Sequence, residues 1–517
     1  MPPTEATSDT QPAESPPPAG ARQEAAGWLA SLLIHAAVLL LLAAWTLPPL
    51  PLPAALSLLG EPALEEDTAD TLDLDDALVD LDVETLTQPL DAPETDTPLD
   101  APAPPLAAAE PVAALDLSSL APTPALTAPI SPSLSEIAGT GTDGRSPASR
   151  AALVAAKGGS PESEAAVQRA LKWLAEHQNP DGTWSLVHTA GACRGRCANP
   201  GRVPGDDPFG ASISSATGLA LLPFLGAGQT QDSGRYKRVV AAGLGALARL
   251  GRVEEDYASL PGLSWRDSGR MYAHGINAIV LSEAYGLTGD RRLGAAAEAA
   301  LAFVSAAQDP AGGGWRYSPQ RPGDTSVTGW QIMALKSGSL AGIATPTTVV
   351  RRAEGFLDSV SAAGGSRYGY MPRGEIEGLV DAAYDGTASM TAVGLLCRMY
   401  LGWEQGDPRL AKGVEYLAQR GPSQTDYYFN YYAAQVIFHQ TAGEGALWRE
   451  WNDRMREQLL EQQADRGHER GSWYVDDTHN RRGGRLYTTA LATMTLEVYY
   501  RYLPIYQSAA VNTGFPD

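Results

Sequence analysis

From Ser160 onward two kinds of helical segment alternate along the chain. Apolar residues at helical spacing, with charges between them, mark Glu164–Gln178, Tyr236–Leu250, Arg291–Gln308, Val349–Val360, Asp407–Gln419 and Leu447–Gln463 as amphipathic helices. Between these lie Ser212–Gly228, Tyr272–Gly289, Thr325–Gly342, Asp385–Gly402, Tyr427–Gly443 and Arg485–Leu503, rich in small residues, Thr and aromatics. Gly and Pro punctuate the joints. The strict interleaving predicts about six helical hairpins with a repeat of roughly 40–60 residues, each of which buries its apolar face only against its neighbours. Closed on themselves, six hairpins make an all-α (α/α)6 toroid with the small-residue helices as the inner ring. An open solenoid is the alternative, and a crowded closed ring suits the Gly-rich inner helices better.

A different pattern precedes residue 160. Residues 1–27 are rich in Pro, Ala and Glu and predict a disordered leader. Trp28 to Leu47 contains no Asp, Glu, Lys or Arg, and about 20 such residues span a bilayer core. Trp28 and Trp45 fall where interfacial aromatic belts sit. A cleaved signal peptide is disfavoured by the acidic leader and by the missing Ala-x-Ala site. Residues 48–155 predict a disordered, acidic, Pro- and Ala-rich tether. Arg22 lies just before the span and no Lys or Arg follows until Arg145, which places the N-terminus in the cytoplasm and residues 160–505 outside an inner membrane.

Charge sharpens this division. The formal net charge is −22, of which residues 1–27 carry −3 and residues 48–144 carry −19. The toroid segment is therefore neutral, which argues against a nucleic-acid partner. Cys193 and Cys197, separated by Arg-Gly-Arg in a Gly- and Pro-rich loop, predict a disulfide outside the cytoplasm. A metal site with His188 as a third ligand is the competitor, and no metal or cofactor is expected. Cys397 lies on a Leu-rich helix and reads as core.

One local pattern recurs. Gln178, Asp181, Gly182 and Trp184 form Gln-x-x-Asp-Gly-x-Trp at the end of a helix, and Gln308 to Trp315 repeats it degenerately. Fainter copies stand at Arg367 to Tyr370 and at Gly471-Ser472-Trp473. These letters resemble the prenyltransferase and squalene cyclase repeat family over about residues 160–505. The resemblance implies an α-α toroid, a central cavity at the N-terminal ends of the inner helices, and a structural role for the repeat's Gln and Trp. It also implies chemistry whose signatures are missing here. The cyclase acid motif Asp-x-Asp-Asp-Thr-Ala is matched best by Arg321-Pro322-Gly323-Asp324-Thr325-Ser326, in which Gly323 replaces the proton donor. No Asp, Cys and His trio supplies the prenyltransferase zinc, and the thioester string Gly-Cys-Gly-Glu-Gln is absent. The weaker Ser31 and His35 pair in the span resembles the anchors of TonB-type energy transducers, which implies a possible envelope-complex partner.

The expected lining residues open the inner helices: His274, Asn277, Thr325, Asp381, Tyr427, Tyr428, Tyr431 and Tyr487. Asp324 and Asp385 are the candidate catalytic acids, with helix capping as their structural alternative. Asp476-Asp477-Thr478 reads as a charged turn. The leading expectation is a membrane-anchored toroid binding an apolar or isoprenoid-like ligand without the family's acid or zinc chemistry. If it is an enzyme, the resemblance implies a terpenoid cyclase-like isomerase or lyase. A glycan-active toroid using Asp381 and Asp385 is an alternative, and a tethered envelope scaffold is another.

Overall fold

The computed structural model describes residues 145, 147–202, 213–253, 260–265, 270–372 and 386–501. The leader, the span at 28–47, the tether as far as residue 144, Asp381 and Asp385 lie outside the described residues. Among the described residues no helix is long and apolar enough to cross a membrane.

After α1 (Pro147–Lys157) the outer helices are α2 (Pro161–Glu176), α4 (Lys237–Leu250), α6 (Arg291–Ala306), α8 (Thr347–Ser359), α10 (Pro408–Arg420) and α12 (Gly445–Gln462). The inner helices are α3 (Ile213–Gly226), α5 (Arg270–Thr288), α7 (Thr325–Leu340), α9 (Ala388–Tyr400), α11 (Tyr427–Thr441) and α13 (Thr478–Leu496), followed by α14 (Val498–Arg501). Each inner helix packs on the next, and α13 packs back on α3, so the ring is closed. The fold is an all-α (α/α)6 toroid. Two short antiparallel ribbons, Gly251–Arg252 with Ser264–Trp265 and Ser361–Ala362 with Arg367–Tyr368, link outer helices to inner ones.

The recurring motif is a clamp between neighbouring hairpins. Gln178 Nε2 donates to Gly182 O at 3.0 Å and to Val239 O of the next outer helix at 2.9 Å. Trp184 donates its indole N–H to Leu174 O at 2.8 Å, and its backbone N–H to Thr217 Oγ1 of the inner helix at 3.0 Å. Gln308 repeats this toward Gly313 O and Val349 O, and Trp315 toward Val304 O and Thr328 Oγ1. At Gly182, φ is +87°, and a Cβ there would lie 2.3 Å from Ala242 O of α4. The turn presses its backbone against the following helix, so only glycine fits. Asp181 accepts from Thr183 N at 3.0 Å and so shapes the turn locally.

The same clamp closes the ring. Gln463 Nε2 donates to Gly471 O and, across the seam, to Ala166 O of α2, both at 2.9 Å. Trp473 donates to Leu459 O at 2.7 Å and its N–H to Thr489 Oγ1 at 3.1 Å. The first and last repeats therefore meet as internal repeats do.

Two boundaries are corrected. Residues 147–155, expected in the tether, belong to α1, which packs on α14 and is held where Arg150 donates to Ala227 O at 2.7 Å and pairs with Glu164 at 3.2 Å. Thr387, not Asp385, caps α9 by accepting from Met390 N at 3.2 Å. Helix α13 is in two parts: Asp477 caps a short first part by accepting from Asn480 N at 3.1 Å, and Gly484, with φ 68° and ψ −172°, breaks it before the inner run that begins at Arg485.

At the C-terminal ends of α3, α5 and α13 the ring is filled by buried charge. Glu283 pairs with Arg145 and Arg501, both at 3.0 Å, and Arg501 pairs with Glu497 at 3.2 Å. Arg145 and Arg501 also donate to Leu225 O and Leu222 O. Burial pushes the Glu497 carboxyl up to about 8, against the pull of Arg501 and Arg145.

Candidate functional site

The cavity, of about 260 Å³, sits at the N-terminal ends of the inner helices. Helix capping sets its wall. Asp324, Thr387 and Asp426 cap α7, α9 and α11, and Asp477 caps the short first part of α13 ahead of the Gly484 break, each accepting from the backbone N–H three residues on. In every case the residue two beyond the cap lines the cavity: Ser326, Ser389, Tyr428 and His479. Capping fixes where each helix begins, so it also fixes which side chain its first turn turns inward.

The wall is aromatic, with a few fixed polar groups. Tyr272, Tyr428 and Tyr487 come from inner helices, and Tyr317 and Tyr370 from the segments before α7 and α9. The hydroxyls of Tyr317 and Tyr370 are 3.0 Å apart, and the Tyr272 and Tyr317 rings are 5.8 Å apart. Burial pushes the phenols of Tyr272, Tyr370, Tyr428 and Tyr487 well above their ordinary range, so all four remain neutral hydrogen-bonding groups.

Two carboxylates serve this wall. Asp426 lies on it, accepting from Ser389 Oγ at 2.8 Å through Oδ2 and from Phe429 N at 2.7 Å through Oδ1. Asp324 stands one layer behind, fully buried, with Oδ1 accepting from Ser326 Oγ at 2.6 Å and from Val327 N at 2.9 Å. Ser326 Oγ is in turn 2.7 Å from Tyr272 Oη. Since Ser326 donates to Asp324, Tyr272 donates to Ser326, and the donors form a line from the wall to the carboxylate. Asp324 Oδ2 is buried with no hydrogen-bond partner. Burial pushes the Asp324 carboxyl up to about 6, with Ser326 opposing the shift.

The expected site residues separate in the structure. Tyr428 and Tyr487 are on the wall. His274 packs between Trp265 and Phe303 with ring centroids at 5.9 and 4.4 Å, and burial drives its imidazole down to about 3. Asn277 faces α3, where a Cβ on Gly218 would meet its Oδ1 at 2.1 Å. Thr325 ties down the segment before α9 by donating to Gly369 O at 2.7 Å. Tyr427 points outward to Gln462 Oε1 at 2.9 Å, and Tyr431 stacks behind Trp330 with centroids 6.0 Å apart. These five do not line the cavity, because each is turned to a neighbouring helix or connecting segment. Sequence reasoning missed Tyr272, Ser326, Ser389, Asp426 and His479, although the position two beyond each Asp or Thr cap would have found three of them.

The expected disulfide is also corrected. Cys193 and Cys197 are free thiols, and they converge with His177 and His468 rather than with His188. Cys397 is buried in α9.

No family profile and no curated protein matches the chain. Among solved structures, the chain is similar to an inactive variant of an alpha-1,6-mannanase from Salegentibacter sp. in complex with alpha-1,6-mannotriose. The identity is 10% and the TM-score 0.45, over 66% of this chain and 99% of the mannanase chain. The expectation of an apolar or isoprenoid-like ligand is corrected. The wall is not purely apolar: Asp426, Ser389 and His479 stand among its tyrosines.

Proposed function

We propose that the cavity binds a carbohydrate and that the protein is a glycan-active enzyme of the toroid type. The observation that carries this is the composition of the wall: tyrosine rings that can lie against sugar C–H faces, interrupted by Asp426, Ser389 and His479, which can pair with hydroxyls. Asp426 is the carboxylate in reach of a bound sugar. Asp324 acts behind it as a proton acceptor through Ser326 and Tyr272. Paired carboxylates are what glycoside hydrolysis requires. The repeat letters support kinship with squalene cyclase repeat proteins at the level of architecture, not of chemistry.

The test is hydrolysis and binding of an oligosaccharide panel that includes alpha-1,6-mannotriose. Tyr428→Ala is expected to weaken binding at least about tenfold, the loss of roughly 1.5 kcal/mol of stacking. Asp324→Asn keeps the helix cap and removes the titration. With the wild type, turnover is expected to rise with pH through about 6 as Asp324 becomes ionised, and the Asn variant to lose that limb. Stability carries the opposite sign. The folded pKa lies above the unfolded one, so Asp324's contribution is complete below about 4 and is lost as pH rises through about 6. No binding by any sugar, together with an unchanged pH profile in the variant, would sink the proposal.

From the sequence we also infer that residues 28–47 anchor the protein in an inner membrane with the toroid outside the cytoplasm. The chain is expected to stay in the membrane pellet through carbonate extraction, and external protease is expected to reach it in spheroplasts. Release into the soluble fraction would contradict the anchor.

A further inference from the structure

We propose that His177, Cys193, Cys197 and His468 hold one zinc ion that fastens the last repeat of the toroid to the first. His177 follows outer helix α2, the two cysteines lie in the loop between α2 and α3, and His468 lies in the loop between α12 and α13. His468 is more than 270 residues from the other three in sequence, yet one ligand atom from each residue falls within 4.8 Å of every other. None of the four lines the cavity.

The distances fit an ion better than they fit hydrogen bonds. Cys197 Sγ is 3.4 Å from His177 Nε2 and 3.1 Å from His468 Nδ1, and Cys193 Sγ is 3.7 Å from the same Nδ1. Tetrahedral zinc, with Zn–S of about 2.3 Å and Zn–N of about 2.1 Å, sets neighbouring ligand atoms roughly 3.5 Å apart. Thiol hydrogen bonds explain the cluster poorly, because His468 Nδ1 faces both sulfurs at once while each neutral thiol has one weak donor. The backbone N–H of Cys197 approaches Cys193 Sγ at 3.3 Å, which suits a thiolate acceptor.

Surrounding groups hold the ligands in place. His177 Nδ1 lies 2.7 Å from Trp173 O, so the N–H sits there and Nε2 keeps its lone pair for the ion. The Trp173 ring stacks on the imidazole with centroids 3.9 Å apart. Between the cysteines, Arg194 and Gly195 both take positive φ, 52° and 70°, which turns the loop so that both sulfurs face one point. Arg196 Nε holds that turn by donating to Cys193 O at 2.8 Å. Across the seam, Glu469 beside His468 accepts from Ala198 N at 2.7 Å and pairs with Arg485 at 2.9 Å. Two sulfurs and two imidazole nitrogens, with no open position, are the donor set of structural zinc.

The seam explains the placement. Internal repeats are joined by the peptide chain as well as by side-chain contacts, whereas the first and last repeats are joined by side-chain and backbone hydrogen bonds such as those of Gln463 and Glu469. The ion would supply the missing covalent-strength link.

Elemental analysis of the full chain, purified in detergent without chelator, tests the assignment. One zinc per chain is expected, absent from Cys197→Ser and His468→Ala and retained by His188→Ala and Cys397→Ser. Because the ligand variants could misfold, the wild type is also measured directly. Titrating its thiols with a mercurial should release the zinc, and cobalt exchanged into the site should show a thiolate charge-transfer band with strong tetrahedral d–d absorption. Chelation should lower the melting temperature, and zinc but not magnesium should restore it. A reduced wild-type chain that binds neither zinc nor cobalt stoichiometrically would overturn the proposal. So would a native Cys193–Cys197 disulfide, seen as a mass two hydrogens lower before reduction.

Discussion

Replacing Glu283 with Ala is expected to destabilise the toroid by roughly 3–5 kcal/mol, because it leaves the buried guanidiniums of Arg145 and Arg501 without the carboxylate both contact at 3.0 Å. Arg145 and Arg501 are only 7% and 1% exposed, so water cannot replace the lost partner without opening the end of the ring. Glu497 compensates poorly, since its ion pair is with Arg501 and its own burial favours the neutral acid. Urea denaturation followed by circular dichroism measures the change. Changing Asp358, whose carboxylate pairs with Arg398 but is 72% exposed, should cost less than about 1 kcal/mol in the same assay. Equal effects at the two sites would show that the Glu283 cluster is hydrated in solution.

The second large effect is expected at the seam. Trp473→Ala should cost roughly 3–5 kcal/mol, the range for removing a fully buried aromatic side chain. The substitution also removes the indole bond to Leu459 O and leaves that carbonyl unsatisfied. Trp184→Ala removes the equivalent group from an internal repeat. Both variants should unfold at lower denaturant, and only Trp473→Ala should also speed proteolysis between α12 and α13. If the two behave identically in both assays, the seam is no weaker than the internal joints.

The architecture was legible because its signals are periodic and local. Alternating amphipathic and small-residue segments located the two helix layers, and Gln178, Gly182 and Trp184 marked the turn that the structure shows as a clamp. The wall of the site was legible only in part. Tyr427, Tyr428 and Tyr431 are neighbours in sequence, and which of them faces inward depends on where Asp426 starts the helix, a matter of one residue. Tyr317 and Tyr370 come from irregular segments with no period to read. The Cys and His cluster was hidden for another reason. Cys193 and Cys197 are visible as a pair, but His468 reaches them only when the ring closes, whereas the nearer His188 was the obvious third candidate. Glu283 and Arg501 were likewise brought together by closure.

The capping register has a consequence for how such a protein can diverge. The side chains that build the ring and those that line the cavity occupy separate positions: the Gln, Gly and Trp of the turns on one side, and the residues two beyond each cap on the other. Ser326, Ser389, Tyr428 and His479 each sit on a different helix, so one can change without disturbing the next. Specificity can therefore drift a helix at a time under an unchanged scaffold. Chains that share the repeat letters need not share a ligand, and grafting these four positions between toroids is a direct route to exchanging what they bind.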